Sequence, residues 1–327
     1  MRVAIFGAGR WGANHVRVFS HLLGESCVTV CDPDPKRLAS IRASHPSIET
    51  YDRPRTDGAS AVVIATPAPS HHTLARQALE EGCDVLVEKP LALTTGDAAN
   101  LVTLAESRGR ILMVDHLLEY HPSVVALRKL LHHGALGPVL HLRSQRLNLG
   151  VIRDEENAWW SLAPHDLSMI LDLLDAEPVH VSAVGAAYLR AGIADVVYAS
   201  AMFSSGALAH IEVSWLDAMK TRRLVVVCER GTAVFDDAAD SPLTVYRSRA
   251  AWVGTRFVAQ RGPVEVIPVE RAEPLTRVAE AFVESIATRR PPRSDGEDGL
   301  RVVRCLEAGQ LSMERSGAAV APQQGGR

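Results

Sequence analysis

Aromatic side chains are scarce in this sequence, at 5% of 327 residues, and there are only five cysteines. Cys27, Cys31, Cys83, Cys228 and Cys305 are odd in number, scattered and without C-x-x-C spacing, which argues against a disulfide framework and a zinc site. They read as small packing residues. No apolar run approaches the roughly 18 residues needed to span a bilayer, and the opening "MRVAIFGAGRWG" is too short and glycine-rich for a signal peptide, so a cytoplasmic protein is expected. Excess charge is missing too. The net value is -3 with Lys and Arg spread along the chain, which points away from nucleic acid and membrane surfaces and towards small molecules or further copies of the chain as partners. Apolar residues, by contrast, make up 47% of the chain, enough to bury more than one core.

The first third alternates short apolar runs ("VAIF", "CVTVCD", "SAVVIATP", "DVLVEKP", "RILMVDH") with helical patterns such as "HTLARQALEEG" and "TTGDAANLVTLAESRG". Runs apolar on both faces are what a parallel sheet covered by helices requires, so a doubly wound α/β domain is expected over 1–119. From about residue 120 the pattern changes to helices followed by alternating stretches. In "ALAHIEVSW" the side chains of Ala207, Ala209, Ile211, Val213 and Trp215 share one face, as in a mostly antiparallel sheet with one face packed. A second α/β domain is expected over 120–319, closed by helices at "PLTRVAEAFVESIATRR" and "GLRVVRCLEAGQLSMERSG", with a flexible tail at 320–327.

Gly7-x-Gly9-x-x-Gly12 follows the first expected strand and opens the first helix. Gly7 permits the tight turn, Gly9 lets backbone approach a pyrophosphate, and Gly12 allows helix to pack closely on strand. Asp32 ends the next strand, twenty residues after Gly12, where a carboxylate accepts both ribose hydroxyls and repels a 2′-phosphate. NAD is therefore expected over NADP, although Lys36 and Arg37 lie close enough in sequence to meet a phosphate. Glu88 and Lys89 stand where the fifth strand leaves the sheet at its carboxyl end, the side on which open α/β folds bind ligands, and Pro90 fixes the backbone just beyond. A surface lysine beside a turn would have the same spacing.

"WWSLAPHDLSMILDLL" begins at Trp159. Pro164 suits a first helical position, and Leu167, Ile170, Leu171 and Leu174 recur at helical spacing. That places His165 in a first turn, where the helix dipole disfavours a cation and keeps the imidazole neutral. A histidine alone in such a place is more often a capping or packing residue. The adjacent pairs His71-His72 and His132-His133 diverge in direction and join no carboxylate pattern, so no metal is assigned.

The glycine loop, "ATPAPSHHTLARQALEEGCDVLVEKPLALT", the switch to an antiparallel domain and "PHDLS" together resemble the Gfo/Idh/MocA family of oxidoreductases, over Met1 to about Ala319. The resemblance implies an N-terminal Rossmann domain, a C-terminal α/β domain on a large open sheet, and a homodimer or homotetramer assembled through that sheet. It implies a nicotinamide cofactor contacted by Gly7, Gly9, Arg10, Trp11, Gly12, Asp32, Thr66, Pro67, His71, Glu88 and Lys89. The stretch from "GALGPVLHLRSQRLNLG" to "PHDLSMI" is similar to the branch that oxidises nucleotide-linked sugars at C3. Carried over, Lys89 and His165 become catalytic: His165 takes the hydroxyl proton while Lys89 holds the oxygen. His116, Arg146, Asn148, Arg153, Trp160 and Ser161 become substrate contacts, and Trp159 and Tyr120 are further neighbours. Many relatives carry an aspartate four residues before the histidine, and here that position is Ser161, which bears no charge. Two alternatives follow: an inositol or aminocyclitol dehydrogenase using the same residues, and a catalytically weakened NAD-binding sensor.

Overall fold

The computed structural model describes residues 1–322, so the expected tail lies outside the described residues from 323 onward. In chain order the elements are β1 (Val3–Phe6), α1 (Arg10–Leu23), β2 (Val28–Cys31), α2 (Pro35–Ser44), β3 (Glu49–Tyr51), β4 (Ala61–Ile64), α3 (His71–Glu80), β5 (Asp84–Val87), α4 (Thr95–Ser107), β6 (Leu112–Val114), α5 (Pro122–His132), β7 (Val139–Leu147), α6 (Ala158–Leu174), β8 (Pro178–Ala186), β9 (Val196–Phe203), β10 (Leu208–Ser214), β11 (Thr221–Cys228), β12 (Gly231–Asp236), β13 (Leu243–Tyr246), β14 (Arg249–Val253), β15 (Arg256–Gln260), β16 (Val264–Val266), α7 (Pro274–Thr288) and α8 (Gly296–Glu314). The chain divides into two compact units, one of Met1–Tyr120 with Glu273–Val303, the other of His121–Ala272 with residues 304–322.

The first unit holds a six-stranded sheet, ordered β3-β2-β1-β4-β5-β6 and parallel throughout. All four residues of β1, β2, β4 and β5 are buried, which explains why these strands are continuous apolar runs rather than alternating ones. Chain order reverses between β1 and β4, and this opens a crevice at their carboxyl ends, the usual place for a ligand in a doubly wound sheet. β3 is the element that periodicity misses: three residues long, at the sheet edge, with Glu49 exposed. Residues 273–303, assigned to the second region on linear grounds, pack with the first. The reason is the stripe of α7, where Leu275, Val278, Ala279, Phe282 and Ser285 are buried at helical spacing and Phe282 meets Phe19 edge-on with ring centroids 6.4 Å apart.

The second unit carries an eight-stranded sheet, β16-β13-β12-β11-β7-β10-β9-β8, antiparallel except where β7 and β10 run side by side in parallel. Ala207, Ala209, Ile211, Val213 and Trp215 are all at most 1% exposed, the inward face that alternation predicts. α6 lies against β7, β9 and β10. Val320, the first residue of the expected tail, forms a single antiparallel bridge with Val181 of β8. Among the described residues no helix is long and apolar enough to cross a membrane.

Candidate active site

Backbone geometry builds the first half of the site. Gly7 adopts φ +96°, and a Cβ there would sit 2.5 Å from the carbonyl oxygen of Ala65, the residue that follows β4. A Cβ on Gly12 would fall 1.9 Å from the carbonyl oxygen of Gly7. Gly9 is different: only Arg37 Nη1, at 3.9 Å, comes within contact range, so its open side forms a cradle that a side chain would fill. Immediately after it α1 begins at Arg10 with no side-chain cap on its free N–H groups. Asp32, 2% exposed, accepts from the backbone N–H of Ala8 (2.7 Å, Oδ2) and of Asp34 (2.8 Å, Oδ1), with Arg37 Nη1 at 3.4 Å. An open glycine cradle, an uncapped helix start and a fixed carboxylate fit the pyrophosphate and ribose of a dinucleotide. Arg10 and Trp11 are exposed beside this turn.

Across the switch point, Thr66 Oγ1 bonds Ser70 Oγ at 2.7 Å and Pro67 is exposed. His71, expected at the cofactor, is 1% exposed, and its ring nitrogens lie 2.8 Å from the carbonyl oxygen of Pro90 and 2.9 Å from that of Thr66. It ties the turn after Lys89 to the turn after β4. Lys89 itself is half-buried at the carboxyl end of β5, and the Lys89–Pro90 peptide is cis.

Two buried histidine–carboxylate clusters occupy the same unit. His15 of α1 faces Glu88 and Asp115, at 3.1 and 3.4 Å from Nε2. His116, expected to border the crevice, is 1% exposed, with Nδ1 2.7 Å from Asp298 and 3.2 Å from Glu119. Burial pushes this imidazole down, but hydrogen bonds and charge from Asp298 and Glu119 outweigh it and raise it to about 10. His116 is thus turned into the interior of the unit, against Asp298 of α8 and Glu119, rather than exposed at the crevice. Tyr120 is likewise engaged, its hydroxyl 3.2 Å from Ser294 Oγ.

In the second unit the histidine helix starts earlier than expected. Asn157 caps α6 by accepting from the N–H of Trp160 (3.1 Å), so the first helical residue is Ala158 and Pro164 lies inside the helix. His165 is consequently about two turns in, beyond the reach of the N-terminal dipole, which therefore does not hold it neutral as the expected helix start implied. The proline nitrogen cannot donate to the carbonyl of Trp160, one turn back. His165 and Trp160 are half-buried and Ser161 is 8% exposed. Trp159 is fully buried and donates through Nε1 to the carbonyl of Leu306 (2.9 Å), which makes it a core residue.

Arg146 is also placed differently. It belongs to β7 rather than to the following loop, is 6% exposed, and grips Asp166 in a fork, Nε to Oδ2 at 2.7 Å and Nη2 to Oδ1 at 3.2 Å. Ser144 Oγ donates to the same carboxylate at 2.6 Å. Its guanidinium therefore anchors the residue next to His165 instead of reaching outward. Asn148 and Arg153 do lie in the loop, Asn148 half-buried and Arg153 exposed with Nε 3.5 Å from Glu156.

The fold and the turn after β1 define a dinucleotide-binding α/β protein with a second, antiparallel domain. Residues 1–116 match the model of the oxidoreductase family with NAD-binding Rossmann fold, Gfo/Idh/MocA, and residues 124–234 match the model of its C-terminal domain. The chain is similar to UDP-N-acetylglucosamine 3-dehydrogenase of Acidithiobacillus ferrooxidans, 28% identical over 93% of this chain and 94% of the relative. The solved structure of that enzyme superposes with a TM-score of 0.82 at 26% identity, covering 96% of this chain and 98% of the other. An oxidoreductase structure from Magnetospirillum magnetotacticum MS-1 is 33% identical with a TM-score of 0.80, over 94% and 99% of the two chains. Inositol 2-dehydrogenase 4 of Saccharopolyspora erythraea is 28% identical over 78% of each. The chain belongs to the Gfo/Idh/MocA family and is an NAD(P)-dependent oxidoreductase acting on CH–OH groups.

Proposed function

We propose that the protein oxidises a ring hydroxyl of a sugar, nucleotide-linked and attacked at C3, with Lys89 and His165 as its catalytic residues. The observation that carries this reading is the likeness to a UDP-N-acetylglucosamine 3-dehydrogenase along nearly the whole of both chains, together with a lysine at the carboxyl end of β5. Bound nicotinamide supplies the hydride acceptor. Lys89 holds the substrate oxygen and offsets the negative charge that develops on it as the hydride departs. His165 accepts the hydroxyl proton. Ser161, one helical turn earlier, contributes no charge to that imidazole. With Arg146 committed to Asp166, the exposed guanidinium of Arg153 is the group for the pyrophosphate, and Asn148 and Trp160 serve the sugar. The outward face of the large sheet carries exposed Val184, Tyr198, Met202 and Leu208, and a second copy of the chain covering it fits the dimer or tetramer expected for this fold.

The test is absorbance of reduced nicotinamide when the full chain meets NAD with UDP-N-acetylglucosamine, beside free myo-inositol. A rise with the nucleotide sugar that Lys89→Met reduces by about 10²–10³-fold supports the reading. A rise with inositol alone transfers the same residues to a cyclitol. If Lys89→Met turns over as fast as the wild type, the proposed role of Lys89 fails.

A further inference from the structure

His15 plays no part in the chemistry above, yet its position is exacting. It stands three residues beyond Gly12 on the buried face of α1, beside Val16 and Phe19. Its Nε2 is 3.1 Å from Glu88 Oε1 and 3.4 Å from Asp115 Oδ2, and the three side chains are 1%, 10% and 0% exposed. Glu88 immediately precedes Lys89 at the end of β5, and Asp115 follows the last residue of β6. One nitrogen therefore joins the helix that starts at the glycine cradle to the carboxyl ends of two adjacent strands. Two buried carboxylates this close together repel unless one takes a proton or a cation is shared between them: burial and Asp115 push Glu88 up, and His15 and Lys89 pull it back towards the charged form.

We propose that His15 is a positioning residue: as an imidazolium shared by Glu88 and Asp115, it fixes the Lys89 turn to the glycine turn in the arrangement that receives the dinucleotide. For Lys89 this rests on the catalytic reading above; for the cofactor it rests on the fold alone. The titratable groups facing His15 are Glu88, just after β5, and Asp115, just after β6, and Lys89 in turn acts on Glu88. Burial pushes the His15 imidazole down, and hydrogen bonds and charge from Asp115 and Glu88 outweigh it, raising it to about 9. A group raised on folding adds stability that is fully present below its unfolded pKa of 6.5 and is lost as pH rises through about 9. Cofactor binding should share that window.

The experiment is NADH binding to the full chain, read by nicotinamide fluorescence from pH 6.5 to 10, for the wild type and His15→Gln. Glutamine keeps an amide donor but carries no charge. The wild-type Kd should be flat to about pH 8 and then rise about tenfold, the variant's should be about tenfold higher already at pH 7 and show no step, each tenfold being about 1.4 kcal/mol. A step caused by Lys89 would survive in the variant. Identical curves for the two proteins overturn the proposal. If His15→Gln does not fold, histidine NMR on the wild type decides, since titration of His15 near 6.5 overturns the proposal and titration near 9, coincident with the binding step, supports it. The catalytic reading fails separately: Lys89→Met active with the His15 step intact removes Lys89 alone, whereas Lys89→Met inactive with His15→Gln unchanged removes His15 alone.

Discussion

The turn after β1 is expected to meet the cofactor's pyrophosphate and the loop between β7 and α6 is proposed to meet the substrate's, and the two are built in opposite ways. The first is made of backbone: glycines whose missing side chains define the cavity, set between buried strands. The second is made of side chains on an exposed segment, where Leu149, Val151 and Ile152 are 66%, 61% and 45% exposed and Arg153 has one loose partner, Glu156. A backbone site announces itself in sequence because only one residue type satisfies it. A side-chain site does not, because the same arginine can reach outward or be captured by a carboxylate far along the chain.

The sharpest way to break the comparison is within the glycine turn itself. A methyl on Gly12 falls 1.9 Å from the oxygen of Gly7, and main chain has nowhere to go, so Gly12→Ala should lower stability by about 3 kcal/mol or more and abolish measurable NAD binding. Gly9→Ala has room in the free protein and should unfold at the wild-type urea concentration while binding NAD at least about tenfold more weakly, because its methyl occupies the cradle. Equal unfolding midpoints together with equal NAD affinities for these two variants would show that the turn does not receive the pyrophosphate.

A second, smaller effect separates captured from outward-reaching arginine. Asp166→Asn leaves Arg146 buried without its counter-charge and should cost about 3–5 kcal/mol in denaturant unfolding, whereas Arg153→Ala, on an exposed residue, should change stability by about 0.5 kcal/mol or less. A loss below about 1 kcal/mol for Asp166→Asn would show that the fork between β7 and α6 is dispensable.

What was legible follows the same line. The five buried strands of the parallel sheet that appear as apolar runs, the glycine turn, and the inward face of β10 were all readable, since each is a local pattern imposed by burial on both faces, by burial on one, or by φ. The edge strand β3 was not, being short and half-exposed. The start of α6 was not legible because Pro164 is a strong local signal for a helix start, whereas the helix is capped by Asn157 and runs through the proline. Glu88, Asp298 and Asp166, which hold His15, His116 and Arg146, lie 73, 182 and 20 residues away from them, and no local periodicity encodes these pairings. One signal was available for His15: a histidine on the apolar stripe of an amphipathic helix must find charge or a hydrogen bond inside.

The smallest predicted effect concerns His165. With the helix starting at Ala158, the N-terminal dipole does not tune this imidazole, and a charge placed at position 161 is one local control on it. Ser161→Asp places a carboxylate one turn before the histidine, which favours the imidazolium and should shift the pH midpoint governing oxidation upward by about 0.5–1 unit, because the base then holds its proton to higher pH. Ser161 is only 8% exposed, so the new charge is weakly screened and the shift should persist in added salt. The measurement is kcat against pH from 6 to 10 in low and high salt. An unchanged midpoint with undiminished NAD binding would mean that His165 is set by contacts other than the residue one turn before it, and that the absence of an aspartate at 161 has no bearing on the base.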